Sequence, residues 1–371
     1  MANTITDVVP KLLGMMLPKL RANSIMPRLV NNDYSALASQ KGAQINVPLP
    51  PTVIVSAVTA AATPPSTDDV TLSTVAVPLD QWNEAPFYLT DKDKMEVVDG
   101  SIPRVAMAAM SALVDTIDGY ILRLLANGAG AAYGTAGTAP FATTLLALGS
   151  DKLLNDHRVP RMDRHVVMNA AAQLNLLSLQ AFADSQFTGD VAAMTEGSFE
   201  GNRRIGSQWW LDQNVVSHTI GTGASFLVNG ALTVGTTTIP ADGGSGTILA
   251  GDVVTFAADA VNKYVVKTAL ATGSFTINEP GLKVNIADNN AITVAAAHVA
   301  NIHFQKDAIV FASRPFEQSS AAIASQVMAD PISGLALRLE VTREYKRDRW
   351  SLDALYGGAV VRSNGVIKVL G

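Results

Sequence analysis

The sequence predicts an α+β protein with a separate β domain set into the chain. Three observations predict it. Residues 101–127 keep one face apolar at helical spacing. Residues 333–371 alternate as a long β hairpin. Residues 222–300 turn rich in Gly, Thr and Val, with short strand-like runs between turn signals. Sequence of mixed helix and strand character resumes at 301, which marks 222–300 as an insertion.

The totals bound what the chain can be. Its 371 residues exceed one average domain. With 48% hydrophobic and 16% charged residues it can bury a sizeable core, which excludes wholesale disorder. The formal net charge is −5 and no run of Lys and Arg stands out, so a protein that grips nucleic-acid phosphates is not expected. The absence of Cys excludes disulfides, thiolate metal sites and Cys nucleophiles. The first residues lack a basic leader, and Pro10 and Pro18 interrupt their apolar run. No stretch offers the roughly 20 consecutive apolar residues that a spanning helix needs, so a soluble protein with no membrane partner is expected.

The elements follow in order. Ile5, Val8, Val9, Leu12, Leu13 and Met16 sit at helical spacing, punctuated by Gly14, Pro18 and Pro27. Such short amphipathic pieces have no core of their own and must lie on the parent domain or on a partner. Gln44–Val47 and Thr71–Val77 alternate as strands do. Between them, residues 48–69 are rich in Pro, Ala and Thr and hold no Lys or Arg, which suggests a two-stranded excursion with a stiff tip. A loop of that length suits a segment reaching onto a neighbouring subunit better than the inside of a compact domain.

Residues 101–127 predict the longest helix. Ser101 can cap it, Pro103 fits its first turn, and Val105, Ala109, Leu113, Ile117, Ile121 and Leu124 line its apolar face. Asn127 and Gly128 mark its end, at a length of roughly 40 Å. Residues 164–168 read as a buried strand, after which Asn169 can cap a helix to about Ala181. Within 222–300, strands are expected at Phe226–Val228, Val253–Phe256, Tyr264–Val266, Phe275–Ile277, Val284–Ile286 and Ile292–Val294, as a small antiparallel barrel or sandwich. In the final hairpin, Leu335, Leu337, Leu339 and Val341 share one face, Arg343–Arg349 form the turn, and Trp350, Leu352, Ala354 and Tyr356 return.

Signals for chemistry are weak. There is no Walker loop, HExxH, GxSxG or complete GxGxxG; Gly128-Ala129-Gly130 begins the last of these, but position 133 is Tyr. His298 and His303 are spaced for neither one helix face nor one strand face, and His157 and His165 flank Val159-Pro160 as surface or loop residues. Asp91, Asp93 and Glu96 lack the glycine and spacing of a calcium loop. No catalytic, cofactor-binding or metal-ligating residue is assigned, and the chain is not read as an enzyme. The mixed charges Arg343, Glu344, Lys346, Arg347, Asp348 and Arg349 suit pairing between copies. With Trp209 and Trp210, read as core or interface, they are the candidate inter-subunit contacts.

Several stretches then resemble one family. They are Ile25–Tyr34 followed by Lys41–Pro48; Leu79–Trp82 with Phe87–Asp93; Glu196-Gly197 through Trp209–Val215 to Thr222; and Gln305–Phe311 with Leu352–Gly357. In that order they resemble the major capsid proteins of tailed phages with the HK-ninety-seven fold, above all the P-twenty-two-type coat proteins with an inserted domain. The resemblance implies an N-terminal arm over 1–35, an extended loop over 36–98 and a spine helix of the peripheral domain over 99–131. An axial domain would take 132–221 and 301–332, the inserted β domain 222–300, and the peripheral hairpin with the C-terminal strand 333–371.

It further implies a virion protein, assembled in the host cytoplasm, whose copies form hexamers and pentamers around double-stranded DNA without sequence-specific binding. Scaffolding, portal and decoration proteins would be its other partners. Two rival readings stay open: a nanocompartment shell around cargo enzymes, and a β-rich adhesin or carbohydrate-binding protein. The inserted segment weighs against the first and the missing leader against the second.

Overall fold

A computed structural model describes residues 5–34, 44–49, 60, 72–91, 101–184, 201–318, 320 and 322–371. The tip of the predicted excursion, Lys41, the Asp93 and Glu96 positions and Glu196-Gly197 lie outside them. In chain order the helices are α1 (Ile5–Asn23), α2 (Met26–Leu29), α3 (Ser101–Gly128), α4 (Thr144–Asp156), α5 (Ala170–Leu177) and α6 (Gln180–Ala183). The strands that frame the site are β1 (Gln44–Pro48), β2 (Thr74–Pro78), β3 (Gln81–Thr90), β4 (Ala131–Tyr133), β5 (Arg164–Met168), β6 (Arg203–Arg204), β7 (Ser207–Leu211) and β8 (Ser217–His218). The segment after them gives β9 (Leu227–Val228), β10 (Thr238–Asp242), β11 (Val253–Phe256), β12 (Asp259–Ala271), β13 (Ser274–Ile277) and β14 (Ile292–Val294). The chain closes with β15 (His298–Gln305), β16 (Ile309–Arg314), β17 (Ala324–Ala329), β18 (Ala336–Glu344), β19 (Arg347–Val360) and β20 (Val366–Leu370).

The spine helix α3 spans 28 residues and organises the main core. Its Met110, Leu113, Ile117, Ile121 and Leu125 are buried among Phe304, Phe311, Leu339, Leu352 and Tyr356. By length and composition Arg104–Gly128 could cross a membrane. The burial of that stripe in the main core and the presence of Asp115, Asp118 and Arg123 within it account for its hydropathy as a core helix. The N-terminal helix lies on the same core: Val9, Leu12, Leu13, Met16 and Leu20 are each no more than 3% exposed. Of the two possible seats for this amphipathic piece, the single chain supplies one itself.

Two sheets flank α3. A five-stranded sheet runs β16-β19-β18-β17, with β3 also paired to β19 from Arg347↔Thr90 to Tyr356↔Gln81. The larger sheet runs β6-β7-β5-β15-β20-β4-β12 and on through β13, β10 and β9. β1 and β2 pair antiparallel from Gln44↔Pro78 to Pro48↔Thr74. Ile45, Val47 and Val77 seat that ribbon on Val310 and Ala312. Gly357 is required there, because a side chain on it would strike the Pro78 carbonyl.

Segment 222–300 has a second core, with Phe226, Val228, Ile239, Phe256, Tyr264, Phe275 and Ile292 packed together. Of the strands expected in it, Val284–Ile286 is not one; Ile286 makes only an isolated bridge to Leu232. β10 takes its place, with Pro240 inside a strand whose neighbours are β13 and the two-residue β9. Pro240 tolerates the missing amide because the β9 ladder begins only at Ala241.

Other sequence expectations also shift. The sheets do not divide at 332/333: β16 and β17 already belong to the five-stranded sheet, and β20 pairs with β15 in the larger one. Arg343–Arg349 is not all turn. The ladder continues to Glu344↔Arg347, and only Tyr345 and Lys346 turn, Lys346 at φ 55°. Asn169 does cap a helix, its side chain accepting the Ala172 amide, but that helix ends at Leu177 and a separate turn, α6, follows. His165 sits in the fully buried β5, not in a loop.

Candidate inter-subunit surfaces

The predicted contact residues fall into two groups. Trp209 is 2% exposed, packs edge-on to Phe141 and Phe182, and donates from Nε1 to the Arg204 carbonyl at 3.0 Å. It therefore has no surface to offer a neighbour. Trp210, next along β7, faces the other way and is half-buried against the main core, with its Nε1 unpartnered among the described residues. Alternation on a strand puts adjacent residues on opposite faces, which is why the pair divides.

The hairpin charges are largely satisfied inside the chain. Arg343 holds both Asp91 oxygens at 2.6 Å and Asp348 at 2.8 Å. These carboxylates push its pKa upward. Asp348 is fully buried, so it cannot meet another subunit directly. Arg347 donates to Glu344 at 2.7 Å and lies 4.2 Å over the Tyr88 ring. Arg349 reaches Glu84 at 2.6 Å. Lys346 rests near the Tyr345 ring at 5.2 Å. What the tip leaves outward is Tyr345, 86% exposed, and the Lys346 ammonium.

A surface that the sequence reading passed over lies on β3. The strand alternates, so Trp82, Glu84, Pro86 and Tyr88 face outward, and Trp82 is 64% exposed. Trp82 leans on Phe316, ring centroids 5.5 Å apart, and rims a groove of about 560 Å³ between β3 and α3. Ala109, Leu113, Val105 and Phe87 line that groove. Period-two reading of Gln81–Thr90 finds this face, with Trp82, Glu84, Pro86 and Tyr88 on one side of the strand.

The histidines serve packing. His303 is 1% exposed, and its ring nitrogens each lie 2.9 Å from a serine hydroxyl, Ser150 and Ser207. Burial pulls it down to about 3, so it stays neutral and ties α4 and β7 to β15. His165 and His298 are likewise drawn down to about 4 by burial. His218 pairs with Asp252 at 2.8 Å, and Lys368, buried beside it, donates to the Gly251 carbonyl at 2.9 Å. These contacts fasten segment 222–300 to β8 and β20. Among the described residues, no group of three His, Asp or Glu is arranged to hold a metal ion.

No protein-family model and no curated protein matches the sequence. Solved structures do match. A chain of Mycobacterium phage Che8 superimposes with TM-score 0.54 at 18% identity, over 93% of this chain and 90% of that one. A chain from the capsid structure of the cyanophage P-SCSP1u gives 0.52 at 13% identity, over 94% and 88%. A chain of Gordonia phage Cozz gives 0.50 at 10%, over 94% and 86%. The mixed helix and sheet architecture is thus shared with phage structures, one of them a capsid, across nearly the whole of each chain.

Proposed function

We propose that this chain is the major capsid protein of a tailed phage, a non-enzymatic subunit that self-assembles into an icosahedral shell around double-stranded DNA. One observation carries the reading: the fold agrees with phage structures, a capsid among them, over more than nine-tenths of this chain. An HK-ninety-seven-type subunit accounts for the parts. The β1–β2 ribbon is the root of the extended loop, α3 with the five-stranded sheet is the peripheral domain, and the larger sheet with α4 and α5 is the axial domain. Segment 222–300 is an inserted β domain with its own core. The weakly acidic balance suits a wall that encloses phosphates without holding them by counterion release.

The partners are further copies, in hexamers and pentamers, with scaffolding and portal proteins during assembly and a decoration protein outside. The groove at Trp82, the tip at Tyr345 and Lys346, and Trp210 are the surfaces offered to neighbours. Expression of the full chain and negative-stain microscopy test the reading. Closed shells or curved sheets are expected; monodisperse monomers at every concentration would overturn it.

A further inference from the structure

The break between α1 and α2 is held by one carboxyl. Ser24 and Ile25 separate the two helices, and the Ile25 amide donates to Asp118 Oδ2 of the spine helix at 3.1 Å. Asp118 is only 1% exposed. Its other oxygen, Oδ1, has no hydrogen-bond partner among the described residues, and neither has the fully buried Ser24 hydroxyl. Asp212, 2% exposed at the end of β7, also keeps one oxygen unpartnered among them.

The charged groups acting on Asp118 are both negative: Asp212, and Asp115 one turn earlier on α3. Among the described residues, the arm acts on it through the backbone amides of Ile25 and Met26. Among the described residues, no charge from the strands packed on α3 acts on it. An ionised carboxylate in this place has lost its water and meets no cation among the described residues, whereas a neutral one needs neither.

We infer that Asp118 is a proton-operated latch for the N-terminal helix: the neutral carboxyl keeps the α1–α2 break docked on the spine helix, and the ionised carboxylate lets the arm go. Release bares the stripe of Val9, Leu12, Leu13, Met16 and Leu20, which turns a core helix into a segment able to bind elsewhere. The latch is a property of the single chain and does not depend on the shell reading.

Burial, with Asp212 and Asp115 adding to it, raises docked Asp118 from 3.8 to about 8, while a released, solvated carboxyl returns to the ordinary value. Between those values the docked state binds more protons than the released one. Docking therefore weakens as pH rises through that window and levels off above it. From pH 6 to 7.5 the docking constant falls roughly 20-fold.

Hydrogen exchange on the unassembled full chain reads this directly, because protection factors report the opening constant after correction for intrinsic exchange. Amides of Leu12–Leu20 should lose about 20-fold in protection between pH 6 and 7.5, while those of Val366–Leu370 hold. Asp118→Asn should abolish the change. Asp212→Asn, which removes one repelling charge and leaves Asp118 in place, should reduce it. Wild-type arm protection that does not change with pH overturns the latch. So does an equal loss in Asp118→Asn, or an equal loss in the β20 amides.

Discussion

Segment 222–300 and the N-terminal helix are both appended to the same central sheets, yet they bury their apolar residues in opposite ways. The segment encloses Phe226, Ile239, Phe256, Phe275 and Ile292 in a core of its own and meets its host through Val253 and Val265, which reach the main core, through the β12–β4 pairing, and through polar fastenings: Lys368 to Gly251, His218 to Asp252, and Asn278 to the Asn127 and Ala129 carbonyls. The helix has no interior. Every apolar side chain described as buried on it belongs to the main core. A unit that closes on itself can be displayed without cost to its host, whereas one that borrows its host's core is either docked or transferred to another surface.

Isolation breaks the comparison most sharply. Segment 222–300 expressed alone should fold, and its proton–nitrogen correlation spectrum should show dispersed β-type peaks. A peptide of residues 1–30 should be largely unstructured, because a helix of this length, interrupted by Pro10 and Pro18, is marginal in water without packing. A collapsed spectrum for the segment would show that its core closes only on the host. Its two ends favour autonomy: the chain enters after β8 and leaves into β15, and these strands pair at His218↔His298 and Ser217↔Val299.

Cavities placed in the two cores sharpen the same contrast. Leu13→Ala removes a side chain 1% exposed and should destabilise the main transition by about 2–5 kcal/mol. Phe275→Ala, also at a position 1% exposed, should cost about 3–5 kcal/mol but within segment 222–300. Two melting transitions, with each variant lowering a different one, are expected by calorimetry. A single transition lowered equally by both would mean that the joint, with Val253 and Val265 in the main core, couples the cores into one cooperative unit. The arm's burial also implies that deleting residues 1–20 weakens the subunit itself as well as its assembly.

Much of this architecture could be read from periodicity. The spine helix, the buried strand at 164–168, the Asn169 cap and the apolar face of the final hairpin follow from local spacing, and their local signals agree with their tertiary places. What was not legible depends on partners distant in sequence. Nothing near position 118 says that its carboxylate meets the Ile25 amide, 93 residues away. Likewise, the charges at 343–349 suited a neighbour only because Asp91 and Glu84, which bind Arg343 and Arg349, lie some 250 residues earlier. Pro240 hid β10, since a proline argues against a paired strand; here it closes the β13 ladder and stands just before the β9 ladder, which begins at Ala241.

The smallest effect separates surface used within the chain from surface left over, the same distinction drawn between insert and arm. Reversing Asp348 cannot make that separation. The residue is fully buried beside Arg343, and a lysine there would place two cations together inside the subunit. The informative position is Lys346, in the two-residue turn, whose ammonium lies over Tyr345 and pairs with no carboxylate among the described residues. Lys346→Glu should move subunit stability by no more than about 0.5 kcal/mol, as expected of an exposed position away from core and caps. If the tip meets a neighbouring copy, the reversal is repeated at every equivalent contact of a symmetric assembly. Light scattering should then show assembly slowed several-fold at unchanged melting temperature. Unchanged assembly would leave the tip as solvated turn, and would move the search for the junction to Trp82 and its groove.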